Sequence, residues 1–392
     1  MRLSYSIFFS FTAIILTSCV SNTPRTNINN TTASTITAPA LENFCKSLKD
    51  NLTNNSHKYL NQNFDRLKFS QNVFFGINGS SKTYLAYKQG ISKAIDTLPD
   101  VLAKTTNGKR WHITRFNKTV NTAKCTLRST IEGSGVQIVE FHLHKTPTNV
   151  SIYNWHDHVK NTLASEALRS AVLDYKSFDD KINSGAINQD SKEFKEFRTL
   201  INFIQTISRN EIDSAIAQYK NLPKKYKSNP VYVQRLITQS ASSPRNYRRV
   251  MDIFYKEFKN NRKYDLIFLD YFYTKKQYRK ALQVITRAEK RIGKDAGLSL
   301  VKALTYSEIG NSKKFYEMCL EALNDDMSYE STYFLLFDEL IRQRKHKDAV
   351  LVLDILTKVF SYSFTRDRFE NDPKYAQLTK TRSFNQWIKN FN

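Results

Sequence analysis

The sequence predicts two folded parts in tandem, an α+β domain over residues 41–175 and an all-α helical array over residues 191–360, followed by a closing segment at 361–392. Three observations predict this. Segments rich in β-branched and aromatic residues follow an early helical stretch, the apolar spacing becomes helical throughout from Ser191 onward, and the helical half aligns with itself at a shift of 34 residues. The 392-residue chain is 40% hydrophobic, 13% aromatic and 24% charged, which excludes a wholly disordered chain. Sixty Lys and Arg against 36 Asp and Glu give a net charge of +24, so the natural partners are anionic.

The chain opens as an export signal. Met1-Arg2 supplies positive charge, Ile7 to Leu16 (IFFSFTAIIL) is almost wholly apolar, and Thr17-Ser18-Cys19 places small residues before a cysteine. The apolar run is too short for a bilayer-spanning helix, which needs roughly 20 residues. Leu16-Thr17-Ser18-Cys19 resembles the lipobox of bacterial lipoproteins. The resemblance implies that residues 1–18 are a removed signal peptide and that acyl chains on Cys19 hold the protein to a membrane. Several chains hold firmly where one holds reversibly, at about 0.8 kcal/mol per buried methylene. Val20 stands where an aspartate marks inner-membrane retention in Gram-negative lipoproteins, so the implied address is the outer membrane, facing the periplasm or the outside. The rest of the 19–40 stretch is rich in Ser, Thr, Asn and Pro without apolar periodicity, the composition of a flexible tether.

Three further cysteines follow, Cys45, Cys125 and Cys319. Export implies an oxidising compartment, and Cys45 and Cys125 fall in one domain, where a disulfide and two small buried thiols both fit. No CxxC and no Cys/His pairing of zinc-finger spacing occurs, which argues against a structural zinc site.

In the α+β domain, Ala40 to Phe69 reads as helix and Tyr84 to Leu102 as a second. Arg110–Phe116, Ala123–Ile131, Gly135–His144 and Asn149–Trp155 read as strands, with Thr146 to Asn149 as the turn between the last two. This order resembles cystatin-like and NTF2-like folds, in which a curved sheet wraps a helix. Glu140, His142 and His144 share one face of a strand, and His156 and His158 follow its hairpin partner. A metal there would fall to His142, His144 and His156. Counting outward from the turn sets His142 opposite Ile152 and Glu140 opposite Asn154, so the histidine pairs meet only if the sheet curls or the register shifts. Alternation of this kind is what any half-exposed strand displays, and the expectation is a solvated face with no bound metal or other cofactor.

No catalytic motif is present. There is no GxSxG elbow, no HExxH helix and no glycine-rich phosphate loop, and the pairs Asp179-Asp180 and Asp325-Asp326 sit where helix caps belong. The chain reads as no enzyme.

The helical half repeats. At a shift of 34, Ala281, Phe315 and Ala349 share a column, as do Ile285, Cys319 and Leu353, then Ala288, Ala322 and Leu356, and finally Phe272, Tyr306 and Leu340. Gln277-Tyr278-Arg279-Lys280-Ala281-Leu282, with Ile285 and Ala288, resembles the second helix of the tetratricopeptide repeat, and 295–328 resembles a whole unit. Phe315 replaces the usual alanine, and the closing prolines are mostly missing. Tyr247, Met251 and Phe254 extend the register backward, giving about five helix pairs over 191–360, with Tyr375, Leu378, Phe384, Trp387 and Ile388 as the cap. The resemblance implies a solenoid with a concave surface for a protein partner.

Charge concentrates in that array. From Lys220 to Lys294 there are 20 Lys and Arg against five acids. Arg245, Arg248 and Arg249 flank one helix start and Lys275, Lys276, Arg279 and Lys280 the next, where cations oppose the helix dipole by roughly 0.3–1 kcal/mol each. The expected function is an envelope scaffold for a protein partner. The alternative is binding of an anionic polymer, such as lipopolysaccharide, cell-wall polymer or nucleic acid, through 220–294, and third comes a metal-dependent activity in 41–175.

Overall fold

The computed structural model describes residues 38–390 except 55, 108, 132–134 and 189. The expected signal peptide at 1–18, Cys19 and the expected tether as far as residue 37 lie outside the described residues. Among the described residues no helix is long and apolar enough to cross a membrane. The chain divides into two compact units, the first ending at Lys275 and the second beginning at Lys276.

The first unit begins with α1 (Ala38–Asn54), α2 (Ser56–Asn63), α3 (Arg66–Phe74) and α4 (Lys82–Thr106). The stretch Ala40–Phe69, expected as one helix, is therefore three. Asp65 ends the second: its amide donates to the Ile152 carbonyl at 2.8 Å while its carboxylate accepts the Lys68 amide at 2.8 Å and caps α3. An antiparallel sheet follows, formed by β1 (Trp111–Lys118), β2 (Thr122–Ile131), β3 (Gly135–Lys145), β4 (Val150–Asp157) and β5 (Thr162–Leu163), paired in sequence order. Two-residue β5 is too short to leave a periodic signal. Then comes α5 (Ala164–Asn183).

One sheet face carries Ala123, Cys125 and Leu127 of β2 and Val139, Phe141 and Leu143 of β3 into a core with Leu41, Leu48 and Leu52 of α1 and Leu60 of α2. Alternation supplies these positions, because every second side chain of a strand points the same way. Cys45 of α1 and Cys125 of β2 form a disulfide across this core, with Cα atoms 5.9 Å apart and both residues buried. Cys319 is a buried free thiol, pushed by burial up to about 12.

The remaining helices of the first unit are α6 (Lys192–Ser208), α7 (Ile212–Asn221), one-turn α8 (Lys224–Lys227), α9 (Pro230–Ser240), α10 (Pro244–Phe258) and α11 (Asp265–Thr274). The second unit holds α12 (Tyr278–Ile292), α13 (Ala296–Ile309), α14 (Ser312–Asp325), α15 (Glu330–Arg342), α16 (His346–Lys358), α17 (Arg366–Glu370) and α18 (Arg382–Lys389). Element boundaries keep the 34-residue period: α10, α12, α14 and α16 begin at Pro244, Tyr278, Ser312 and His346, and α13 and α15 at Ala296 and Glu330.

The turns repeat as well. Lys276, Gly310 and Arg344 take positive φ of 54°, 81° and 60°, and the next amide reaches back from Asn311 to the Tyr306 carbonyl and from Lys345 to the Leu340 carbonyl, both at 2.9 Å. Glycine adopts this conformation freely, whereas Lys276 and Arg344 carry a cost of roughly 1–2 kcal/mol each. All nine residues of the columns beginning at Ala281, Ile285 and Ala288 are buried, as are Tyr247, Met251 and Phe254. Leu378, Phe384, Trp387 and Ile388 pack with Leu353 and Leu356 of α16, and Tyr375 lies against the same cluster.

Closing the long loop between Cys45 and Cys125 stabilises the fold by about 2–5 kcal/mol. The double replacement Cys45→Ala with Cys125→Ala should lower the urea midpoint accordingly, and alkylation of the oxidised, denatured chain should label Cys319 but neither partner of the disulfide. Labelling of Cys45 or Cys125 there would contradict the pairing.

Candidate functional site

The outward face of the sheet departs from the expected solvated surface. Thr126 and Arg128 of β2 and Ile138 and Glu140 of β3, opposed across the strands on the side away from the α1 core, are all buried. Glu140 is only 9% exposed. The alternation of polar and apolar residues predicted the two faces correctly but could not report what covers the polar one.

The register differs too. Leu143 opposes Ile152, whereas His142 opposes Asn154 and Glu140 opposes His156, so Tyr153 is an extra residue in β4. Such a bulge places two residues against one and shifts every later pairing by one position. The count outward from Pro147 fails by two positions, one because Lys145 opposes Val150, which centres the turn between Pro147 and Thr148, and one at the bulge; together they unite the two histidine groups.

After β4 the His158 amide donates to the Ile138 carbonyl at 3.0 Å, which carries the chain on alongside β3. Asp157 turns it there, accepting the Val159 and Lys160 amides at 3.0 Å each. His156 and His158 are two residues apart, so they share a face, with ring centroids 4.5 Å apart. One donor atom each from Glu140, His156 and His158 lies within 4.8 Å of the others.

Glu140 is also tied to its own strand and to β2. His142 Nε2 lies 2.9 Å from Glu140 Oε1, Lys124 Nζ lies 3.1 Å from the same oxygen, and His158 Nε2 lies 3.8 Å from Oε2. Burial opposes ionisation of this carboxyl, but His142, His158 and Lys124 beside it outweigh that cost and hold the group well below the usual carboxylate range. His144 is committed elsewhere, with Nε2 2.8 Å from Asp65 Oδ2. Of the three histidines to which a metal would fall by sequence, where none was expected, His156 therefore stands in the cluster, His142 lies beside its carboxylate, and His144 lies outside it. His158 joins instead.

The basic residues fall into two groups. Arg245 and Arg248, exposed at the start of α10, and Arg249, paired with Asp213, belong to the first unit together with Lys275, which lies 3.0 Å from Asp252. Lys276, Arg279 and Lys280 are exposed and belong to the second unit. Of the five acids in 220–294, Asp265 and Asp270 are buried, and Glu289 is nearly so against Lys302 at 2.5 Å. Folding thus withdraws most of the segment's negative charge from its surface and leaves most of the cations exposed.

Asp270 is pushed up to about 6 by burial, against the lowering effect of the hydrogen bond it accepts from the Tyr247 hydroxyl. Its ordinary value is 3.8, so between these values the folded chain holds a proton that the unfolded chain has released. This group's contribution to stability consequently falls as pH rises through that window. Asp270→Asn should remove that part of the slope in urea midpoints taken between about pH 4 and pH 6. An unchanged slope would show that Asp270 titrates normally.

Scans against protein families, curated proteins and solved structures return no match.

Proposed function

We propose that the chain is a non-enzymatic scaffold of a bacterial cell envelope, anchored to a membrane through Cys19, and that its helical array, of the tetratricopeptide-repeat kind, docks a protein partner. The observation that carries this reading is the 34-residue recurrence of helix starts, left-handed turns and buried columns from α10 to α16. Units that bury their apolar faces only against neighbours form surfaces, and surfaces of that kind serve recognition rather than chemistry. The disulfide agrees with an exported chain, since such bonds persist where the compartment is oxidising.

A second reading, direct binding of an anionic polymer by 220–294, draws support from the burial of Asp265 and Asp270 in a segment most of whose cations are exposed. The two readings differ in salt dependence. Each phosphate contact adds about 0.9 to the logarithmic salt slope of duplex binding, whereas an apolar protein groove is far less sensitive.

Two measurements test these readings. Cys19→Ala should release the protein from membranes or leave it unprocessed, and unchanged fractionation would refute the anchor. Capture of partners by the full chain from a detergent-solubilised envelope extract, at low and high salt, should recover a discrete protein at both. Recovery of anionic polymer at low salt alone would transfer the function to the basic segment.

A further inference from the structure

We propose that Glu140, His156 and His158 bind a divalent transition metal of the zinc class, with His142 orienting the Glu140 carboxylate and a fourth position open to water or an external ligand. This proposal is independent of the scaffold reading, because it rests on β3, β4 and the turn after them.

The geometry comes first. The bulge at Tyr153 sets Glu140 directly opposite His156, and the bond from the His158 amide to the Ile138 carbonyl brings a second imidazole back beside the same carboxylate. Their donor atoms lie within 4.8 Å of one another. Ligands of a tetrahedral zinc ion at about 2.0–2.1 Å are separated by roughly 3.3 Å, so small side-chain rotations close the set without moving the strands.

The surroundings point the same way. His158 is 13% exposed, and its Nδ1 is buried with no hydrogen-bond partner among the described residues. Leaving a ring nitrogen unsatisfied costs free energy that a ligand or a rotated ring would recover. His142, 2.9 Å from the carboxylate, occupies the place of the outer partner that fixes a ligating group. Lys124 competes for Glu140 at 3.1 Å, yet its side chain is 54% exposed and free to turn into water when a metal replaces it as counter-charge.

Two imidazoles and one carboxylate define the class of ion. Nitrogen-dominated sets suit zinc, copper, nickel and cobalt, while magnesium and calcium require oxygen ligands. Three protein ligands with an open position are also what exchangeable or reactive zinc sites present, in contrast to the closed four-ligand structural kind.

The test uses the full chain purified in detergent, freed of metal by chelator and titrated with zinc against a chromophoric competitor. We expect one bound equivalent, a raised melting temperature, and visible absorption of four-coordinate cobalt when cobalt replaces zinc. His142→Ala should weaken binding about 10- to 100-fold, while His144→Ala leaves it unchanged because His144 serves Asp65. The double variant His156→Ala with His158→Ala should abolish binding while retaining near-ultraviolet circular dichroism. Undiminished zinc in that variant would overturn the site. Should the variant lose its fold, the unmodified chain decides: absence of bound zinc, or of cobalt absorption beyond that of the hydrated ion, overturns the proposal.

Discussion

The α+β part depends on Asp65. This one residue ends a helix, begins the next, donates its amide to the Ile152 carbonyl, and meets the His144 ring with its carboxylate. The Ile152 carbonyl so engaged lies immediately before Tyr153, the extra residue of β4. A strand whose carbonyl is held by an outside donor at that point is well placed to bulge, because the ladder there has already given up a regular pairing. From the bulge onward β4 changes parity with respect to β3, and Glu140 meets His156. A helix junction thus determines which polar side chains gather on the far side of the sheet.

Burial then gives that gathering its character. A carboxylate in water beside two imidazoles is unremarkable, but Glu140 is 9% exposed and needs the polar side chains around it. Lys124, His142 and His158 share that task. The helical array uses burial in the opposite sense. Asp270 is buried while Arg245 and Arg248 are exposed, so the same amino-acid composition yields a more cationic exterior than the sequence count alone states.

The sequence made the coarse plan legible for identifiable reasons. The strands extend over long alternating runs, and their expected limits lie within a few residues of β1 to β4. The columns of Ala281, Ile285 and Ala288 recur because close helix crossings admit only a few side-chain sizes, and those columns are buried. What escaped was non-local. Asp65 looks like one more polar residue in a helix, and its bond to Ile152 joins positions far apart in the chain. A turn centred between Pro147 and Thr148 sets the first pairs one position away from a count made from Pro147, and nothing in the letters around Tyr153 announces the bulge that adds another. His158 was visible as a histidine, but its return beside β3 depends on a backbone bond to Ile138.

The account stands on the register of β3 against β4, and cross-strand nuclear Overhauser contacts measure it directly on an isotope-labelled full chain. Backbone contacts pairing Glu140 with His156 and His142 with Asn154, together with Leu143 and Ile152, are the predicted result. Contacts pairing Glu140 with Trp155 and His142 with Tyr153 would describe an unbulged hairpin on the same turn, put His156 out of register with the carboxylate, and contradict this register.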